Sequence, residues 1–278
     1  MSQYQALHLA QRAALHAFLI VGALVVCLPL VWMLSTSLKT PDKVFAVPIE
    51  WIPTSLHWQN YVNAWNTAPF ARYFANSLWV SGVTTGLNLL FCSLAGYGFA
   101  KYHFPGRGLL FVFVLATMMI PFQVIVIPLF ILMRDFSWLN SFNALIIPNM
   151  MSAFGIFFMR QYLETIPDDL LEAGRMDGAS EIRLYWNVIL PLSKTPLAAL
   201  AVFTFLESWN NLLWPLVVIN KDELRPIALG LTEFQNVHGT DYTLVAAASS
   251  LLIVPILLLF LGLQRYFVQG ITLSGLKG

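Results

Sequence analysis

The chain has 278 residues, of which 58% are hydrophobic and 10% are charged, and its mean hydropathy is +0.70. Soluble domains carry about 25% charged residues, so this composition excludes an ordinary soluble domain and indicates a polytopic membrane protein. The net charge of +1 gives no reason to expect a nucleic-acid partner. Cys27 and Cys92 lie inside apolar runs, without the spacing of a metal site or a disulfide framework.

Six apolar stretches predict an all-α polytopic membrane protein with six transmembrane helices. A helix needs about 20 mostly apolar residues to cross a bilayer. The first stretch is longer than the h-region of a signal peptide and no A-x-A site follows it, so we expect a retained span. The stretches lie near residues 16–38, 73–98, 108–132, 142–160, 196–219 and 243–268.

The positions of Lys and Arg predict that both chain ends face the cytoplasm. With the N-terminus inside, nine of the 15 cations fall in cytoplasmic segments and six in outer segments. Residues 1–15 are then a cytoplasmic N-terminus, and residues 73–268 form a core of five spans. Residues 269–278 form a cytoplasmic C-terminal tail, which either frays or contacts a partner.

The outer loop, residues 39–72, is predicted to contain a helix. Trp58, Tyr61, Val62 and Trp65 recur at i, i+3, i+4 and i+7, so one helical face is aromatic. Such a face lies either at the level of the lipid headgroups or against neighbouring spans. Neither alternative implies chemistry.

Two amide side chains lie in predicted spans beside prolines. Gln123 lies between Pro121 and Pro128, and Asn149 follows Pro148. A proline frees backbone carbonyls, which neighbouring groups or cavity water must satisfy. Each amide therefore either lines a solute path or serves the structure of its own span.

The cytoplasmic connection, residues 160–195, predicts two short helices joined by a sharp turn. Asp177-Gly178 is the turn signal, and Ser180 is a candidate N-cap for the second helix. Ala173 and Gly174 are small, so we expect a shallow surface that another backbone can approach closely. The segment is either an ordinary membrane-proximal hairpin or a knob that docks into a soluble partner.

Polar residues inside spans are costly, and they therefore mark candidate solute contacts. Glu207 is the only acid in a predicted span, and it shares a predicted helical face with Asn210, Asn211 and Trp214. Carboxylate, amide and indole groups suit hydrogen bonding and stacking to a sugar. The same groups suit hydrogen bonds between the helices of paired subunits, so both alternatives stay open.

The stretch "EAGRMDGASEIRLYWNVILPLSK" resembles the EAA loop of the membrane subunits of ABC importers, with Gly174 in place of the usual second Ala. Four other segments resemble the carbohydrate-uptake (MalG-, UgpE- and AraQ-like) branch of the binding-protein-dependent transport family. These segments are "KYHFPGR", "MMIPFQVIVIPLF", "FLESWNNLLWPLVVI" and "QRYFVQGITLSGLKG". The resemblance covers the chain from about residue 70 onward and adds Trp209 and Asn210 as motif positions. It implies an ATPase-coupling role for Glu172, Ala173, Gly174, Asp177, Gly178 and Ala179.

The resemblance also implies an assembly in the bacterial inner membrane that imports a sugar or sugar-like solute. The expected partners are a second permease, a dimeric ATP-binding-cassette ATPase, an extracytoplasmic solute-binding protein and membrane lipid. The sequence contains no GxxxxGK[ST], so we expect no cofactor and no catalytic residue in this chain, with ATP-Mg bound by the partner ATPase. The alternative is a self-sufficient homo-oligomeric secondary carrier or channel. The single acid in a span and the lack of a clear repeat between chain halves argue against it.

Overall fold

The computed structural model describes residues 3–236 and 239–274, and this part of the chain is helical apart from one short hairpin. The hairpin pairs strand β1 (Gln235–Asn236) with strand β2 (Gly239–Thr240) in antiparallel register. Residues 275–278 of the predicted tail lie outside the described residues. In chain order, helices α1 to α14 lie at Gln3–Ser37, Gln59–Thr67, Phe70–Lys101, Arg107–Thr117, Phe122–Asp135, Phe142–Ile146, Ala153–Leu163, Asp169–Met176, Glu181–Leu184, Leu190–Leu192, Lys194–Trp209, Leu213–Val218, Ile227–Gly230 and Tyr242–Ser274.

Four helical stretches among the described residues are long and apolar enough to cross a membrane. The number rises to six if each of two bent helix pairs forms one span. The four stretches are Gln11–Ser37, Phe70–Lys101, Phe142–Leu163 and Tyr242–Tyr266.

The chain divides into two compact units. The first comprises Met1–Phe70 and Leu231–Val254, and the second comprises Ala71–Gly230 and Pro255–Gly278. In the first unit, the Asn60 amide donates to the carbonyls of Ser37 at 2.9 Å and Lys39 at 2.7 Å, which ties α2 to the end of α1.

The aromatic face of α2 is largely open. Trp58, Val62 and Trp65 are exposed, whereas the Tyr61 hydroxyl lies 2.8 Å from the Ser37 hydroxyl. This arrangement is typical of a helix that lies at a membrane interface.

The predicted span 108–132 is broken rather than continuous. It divides into α4 and α5, whose axes differ by 99°. The break falls at Pro121, whose ψ of 140° is extended. Proline has no backbone N–H and disfavours a helical residue before it, so α4 ends and a new helix begins at Phe122.

The predicted span 196–219 is broken as well, because α11 ends three residues before α12 begins. A continuous helix would place the Pro215 ring against the Asn211 carbonyl and leave that carbonyl without its N–H donor. Instead, the Asn211 Oδ1 accepts a hydrogen bond from the Trp214 N–H at 3.2 Å. This side chain therefore helps to start α12 after the break.

A buried cluster holds the second unit together. Its side chains come from the long apolar helices and from the predicted loop at residues 160–195. Helices α3, α7, α8, α9 and α11 all supply side chains, so the loop is packed onto the spans. The cluster consists of Cys92, Tyr97, Ile156, Met159, Leu163, Ile166, Leu171, Leu184, Tyr185, Ile189 and Leu200.

Helices α3 and α7 approach each other closely at Gly96. A Cβ atom at this position would lie 2.8 Å from the Met159 Cβ and 3.0 Å from the Arg160 backbone nitrogen. Neither atom is the flexible end of a side chain, so the two helices would have to separate. Small residues let membrane helices pack in this way.

Gly96→Ala is therefore expected to lower the free energy of unfolding by about 1–3 kcal/mol, the usual cost of overpacking. Gly82→Ala in the same helix is the matched control, because nothing lies within 4 Å of its Cβ position. The control should be neutral or slightly stabilising. Thermal unfolding in detergent measures both variants, and equal midpoints would contradict the close approach.

Candidate functional site

The predicted cytoplasmic loop folds as a compact helical hairpin, formed by α8 and α9. Helix α8 ends at a turn in which Gly178 has a φ of +76°, a region that favours glycine. The Gly178 N–H donates to the Arg175 carbonyl at 3.0 Å, and the Ala179 N–H donates to the Gly174 carbonyl at 2.9 Å. The Ser180 hydroxyl accepts from the Arg183 N–H at 3.4 Å and caps α9. Local hydrogen bonds thus define the turn.

One side of the hairpin is buried and the other is open. Leu171 and Leu184 are 1% exposed and lie in the buried cluster, whereas Met176 is 88% exposed and Ile182 is 73% exposed. The open side also presents Glu172, Ala173, Asp177 and Gly178. An exposed surface that combines apolar and acidic side chains is suited to a protein partner.

Gly174 does not lie on this open side. A Cβ atom there would overlap the Leu184 Cδ2 atom, so the small size of Gly174 serves a contact within the chain. This corrects the expectation that Gly174 leaves an open surface. Ala179 is half-buried.

The start of the hairpin is fastened to the C-terminal end of α3. The Lys101 ammonium donates to the Asp168 carboxylate at 2.7 Å and also to the Ile166 carbonyl. The hydrogen bond from Lys101 holds the pKa of the Asp168 carboxyl below its usual value. The Lys101 side chain is 3% exposed, but that of Asp168 is 69% exposed, so water screens this pair much as it does a surface ion pair.

A polar cavity lies among α3, residues 148–152 before α7, and α11 with the residues that follow it. Its volume is about 60 Å³, and eight of its ten lining residues carry a hydroxyl, amide or carboxylate group. The lining residues are Thr84, Asn88, Pro148, Asn149, Met151, Ser152, Thr204, Glu207, Ser208 and Asn211.

Asn88 links the three walls of this cavity. Its amide nitrogen donates to the Asn149 carbonyl at 3.3 Å and to the Ser152 hydroxyl at 3.4 Å. Its amide oxygen accepts from the Thr204 hydroxyl at 3.3 Å. The buried Thr84 hydroxyl has no hydrogen-bond partner among the described residues, so it is available to water or a solute hydroxyl.

Three of the predicted path residues meet at this cavity: Glu207, Asn211 and Asn149. The Asn149 amide nitrogen donates to the Leu145 carbonyl at 2.9 Å, which leaves its oxygen and its second N–H for the cavity. Glu207 is exposed, and its carboxylate adds acceptor oxygens to the lining.

The other predicted path residues lie elsewhere. Trp209 is fully buried, with its ring 5.5 Å from the ring centroids of both Phe74 and Phe205. Gln123 is exposed on α5, and Asn210 is exposed beyond the end of α11. Neither lines the cavity.

The predicted continuous face bearing Glu207, Asn210, Asn211 and Trp214 is wrong, because the helix ends at Trp209. The Trp214 indole is buried and donates to the Ala144 carbonyl at 2.8 Å, away from the cavity. The break leaves Asn210 and Asn211 between the two helices and places Trp214 in α12.

Sequence reasoning missed the contribution of α3. Ser77, Ser81, Thr84, Thr85 and Asn88 recur along one face of an otherwise apolar helix, and all five are buried. Such a polar stripe within a span is the signal that marks this wall of the cavity.

The cavity is too small for a sugar ring. Water takes up about 30 Å³ per molecule, and pockets for small molecules measure about 300–1,000 Å³. A volume of about 60 Å³ is well below that range, so the cavity of this chain alone does not enclose a sugar. The residues present can therefore bind hydroxyl groups one at a time.

The chain matches the family model described as "Binding-protein-dependent transport system inner membrane component" over residues 90–273. It belongs to this family. The predicted family is thereby confirmed, and the chain is a multi-pass permease of the bacterial inner membrane. The family has no catalytic site of its own, so the chain is a transporter component and not an enzyme.

Curated relatives match most of the chain. The arabinooligosaccharides transport system permease protein AraQ of Halalkalibacterium halodurans is 39% identical over 227 residues, or 81% of each chain. AraQ of Bacillus subtilis is 35% identical over 270 residues, or 96% of each chain. The sn-glycerol-3-phosphate transport system permease protein UgpE of Yersinia enterocolitica is 34% identical over 265 residues, which is 92% of this chain and 94% of UgpE.

A solved structure shares the fold. It is a crystal structure of a bacterial ABC transporter involved in the import of the acidic polysaccharide alginate. The TM-score is 0.80 at 24% sequence identity, and the match covers 96% of this chain and 99% of the matched chain.

Proposed function

We propose that the chain works with a second permease and a separate dimeric ATPase, which docks on the hairpin formed by α8 and α9. The chain is the permease subunit of an ABC importer for sugars or sugar-like solutes, the class that the names of its AraQ and UgpE relatives indicate. A binding-protein-dependent transporter also needs a solute-binding protein on the outer side. With α4 and α5 as one span and α11, continued by α12, as another, the chain has six spans and both chain ends lie in the cytoplasm.

The observation that carries the coupling role is the two-sided hairpin. Its inner side is buried against the spans and its outer side is open. An element that transmits movement between two subunits must contact both of them in this way. ATP-driven closure of the partner would move the hairpin as a rigid body, and the spans would follow. Glu172 offers a carboxylate for charge-assisted hydrogen bonds to that partner.

The polar cavity supports a place for this chain in the solute path. Its donors and acceptors suit sugar hydroxyls, and its small volume indicates that the second permease completes the path. The lining includes the Glu207 carboxylate and no Lys or Arg. A neutral solute is therefore favoured over an anionic one, which the carboxylate would repel.

Purification of the tagged chain from its native membrane tests the assembly. We expect an ATPase with a P-loop and a second polytopic permease to co-purify in mild detergent, as mass spectrometry would show. The amount of co-purified ATPase should fall in Gly178→Pro, which alters the docking turn, whereas the second permease should remain. A homo-oligomer without ATPase, from a preparation that retains other membrane complexes, would support a secondary carrier instead.

A further inference from the structure

Glu181, the first residue of α9, collects hydrogen bonds from three directions. The Arg175 guanidinium of α8 donates to its Oε1 at 2.8 Å and to its Oε2 at 3.4 Å. The Tyr97 hydroxyl of α3 donates to Oε2 at 3.3 Å, and the Tyr102 hydroxyl, just beyond α3, donates to the same atom. One carboxylate thus joins both helices of the hairpin to the cytoplasmic end of α3.

The charges around this carboxylate favour its ionised form. The hydrogen bond from Arg175, followed by that from Tyr102, lowers the pKa of Glu181 to about 2. Burial raises the pKa of Tyr102, so its phenol remains a donor at neutral pH. Charge-assisted hydrogen bonds are stronger than neutral ones. The junction is therefore intact throughout the pH range in which a transporter is assayed.

Neighbouring contacts make the junction stiff. Tyr185 directly follows α9, and its hydroxyl lies 2.7 Å from the Ser93 hydroxyl of α3. The centroids of the Tyr97 and Tyr185 rings are 5.9 Å apart. Packed side chains of this kind resist continuous deformation, so the hairpin and the end of α3 move as one body.

Helix α3 runs without interruption from this junction to the polar cavity. Tyr97 and Asn88 are nine residues apart on α3, which corresponds to about 13 Å along the helix axis. A displacement at Glu181 therefore reaches the side chains of Asn88 and Thr84 through a single rigid element.

We propose that Glu181 is a positioning residue that fastens the coupling hairpin to α3 and so transmits movement of the hairpin to the wall of the polar cavity. This inference rests on the proposed coupling function of the hairpin. Glu181 itself contacts neither the solute nor ATP; it acts through α3.

The test uses the complete importer, reconstituted in proteoliposomes with its second permease, ATPase and solute-binding protein. The measured quantity is the number of ATP molecules hydrolysed per solute transported. Glu181→Ala is expected to raise this ratio by at least about 5-fold, the lower end of couplings between distant sites. Glu181→Gln keeps one acceptor oxygen and should give a smaller rise, and Tyr102→Phe, which removes one donor, should do the same.

Glu164→Ala is the matched control. Glu164 is also an acid in an ion pair, but its partner Arg160 is four residues away in the same segment, at 2.6 Å. Its loss leaves the hairpin fastened to α3, so the ATP-to-solute ratio should not change.

The outcomes separate this proposal from the coupling role on which it rests. An unchanged ratio in Glu181→Ala, together with uncoupling in Gly178→Pro, would overturn the role of Glu181 and keep that of the hairpin. An unchanged ratio of ATP hydrolysed to solute transported in both variants would contradict the coupling function of the hairpin itself. Loss of the assembled complex in Glu181→Gln and Tyr102→Phe would also overturn the proposal, because it would show that the junction serves folding.

Discussion

Gly178→Pro is expected to leave the permease in the membrane and to reduce solute uptake by at least about tenfold, which corresponds to 1.4 kcal/mol. Proline fixes φ near −65°, whereas Gly178 has a φ of +76°. The substitution also removes the N–H that donates to the Arg175 carbonyl at 3.0 Å. The turn must therefore reopen, and the exposed faces of α8 and α9 lose their relative orientation. Uptake and ATP hydrolysis in proteoliposomes measure the effect.

Gly106→Pro provides a control with the same backbone conflict. Gly106 has a φ of +82° and, like Gly178, no atom within 4 Å of its Cβ position. It lies before α4, outside the hairpin. We expect this variant to lose some stability and to keep its ratio of ATP hydrolysed to solute transported. Equal uncoupling by both variants would mean that general distortion, and not the docking turn, accounts for the loss of uptake.

The apolar stretches predicted the long helices well, because spanning requires about 20 apolar residues and composition alone reveals them. α1, α3 and α14 contain the first, second and sixth stretches almost entire. The same reasoning missed the breaks near Pro121 and Pro215. Hydropathy summed over a window is insensitive to the one N–H that a proline lacks. The missing N–H nevertheless interrupts the hydrogen bonds of the helix.

The cavity was less predictable than the hairpin. The turn at Asp177-Gly178 follows from local chemistry, since a glycine with positive φ joins two helices four residues apart in sequence. Asn88 and Thr204 meet across 116 residues of sequence, and no local pattern reports that contact. The role of Glu181 was not predicted for the same reason. Two of the hydroxyls that donate hydrogen bonds to its carboxylate lie at the end of α3, far away in sequence.

Glu207 is the side chain whose substitution best separates a solute path from contacts between subunits. Glu207→Gln preserves shape and hydrogen-bonding capacity, so we expect an assembled complex and uptake of a neutral solute within a few-fold of the original. Glu207→Leu removes the acceptors from the cavity, and a solute hydroxyl left without a partner costs about 1–3 kcal/mol, or roughly 5- to 150-fold in uptake. Assembly should again be intact, as co-purification of the second permease would show.

Glu223→Gln is the control for a general effect of charge, because Glu223 is exposed outside the cavity. It should retain both assembly and uptake. If Glu207→Leu instead dissociated the complex, the residue would belong to the contact between permeases. Selective loss of uptake from an intact complex would support a place for Glu207 in the path, because Glu207 lines the cavity and lies outside the coupling hairpin.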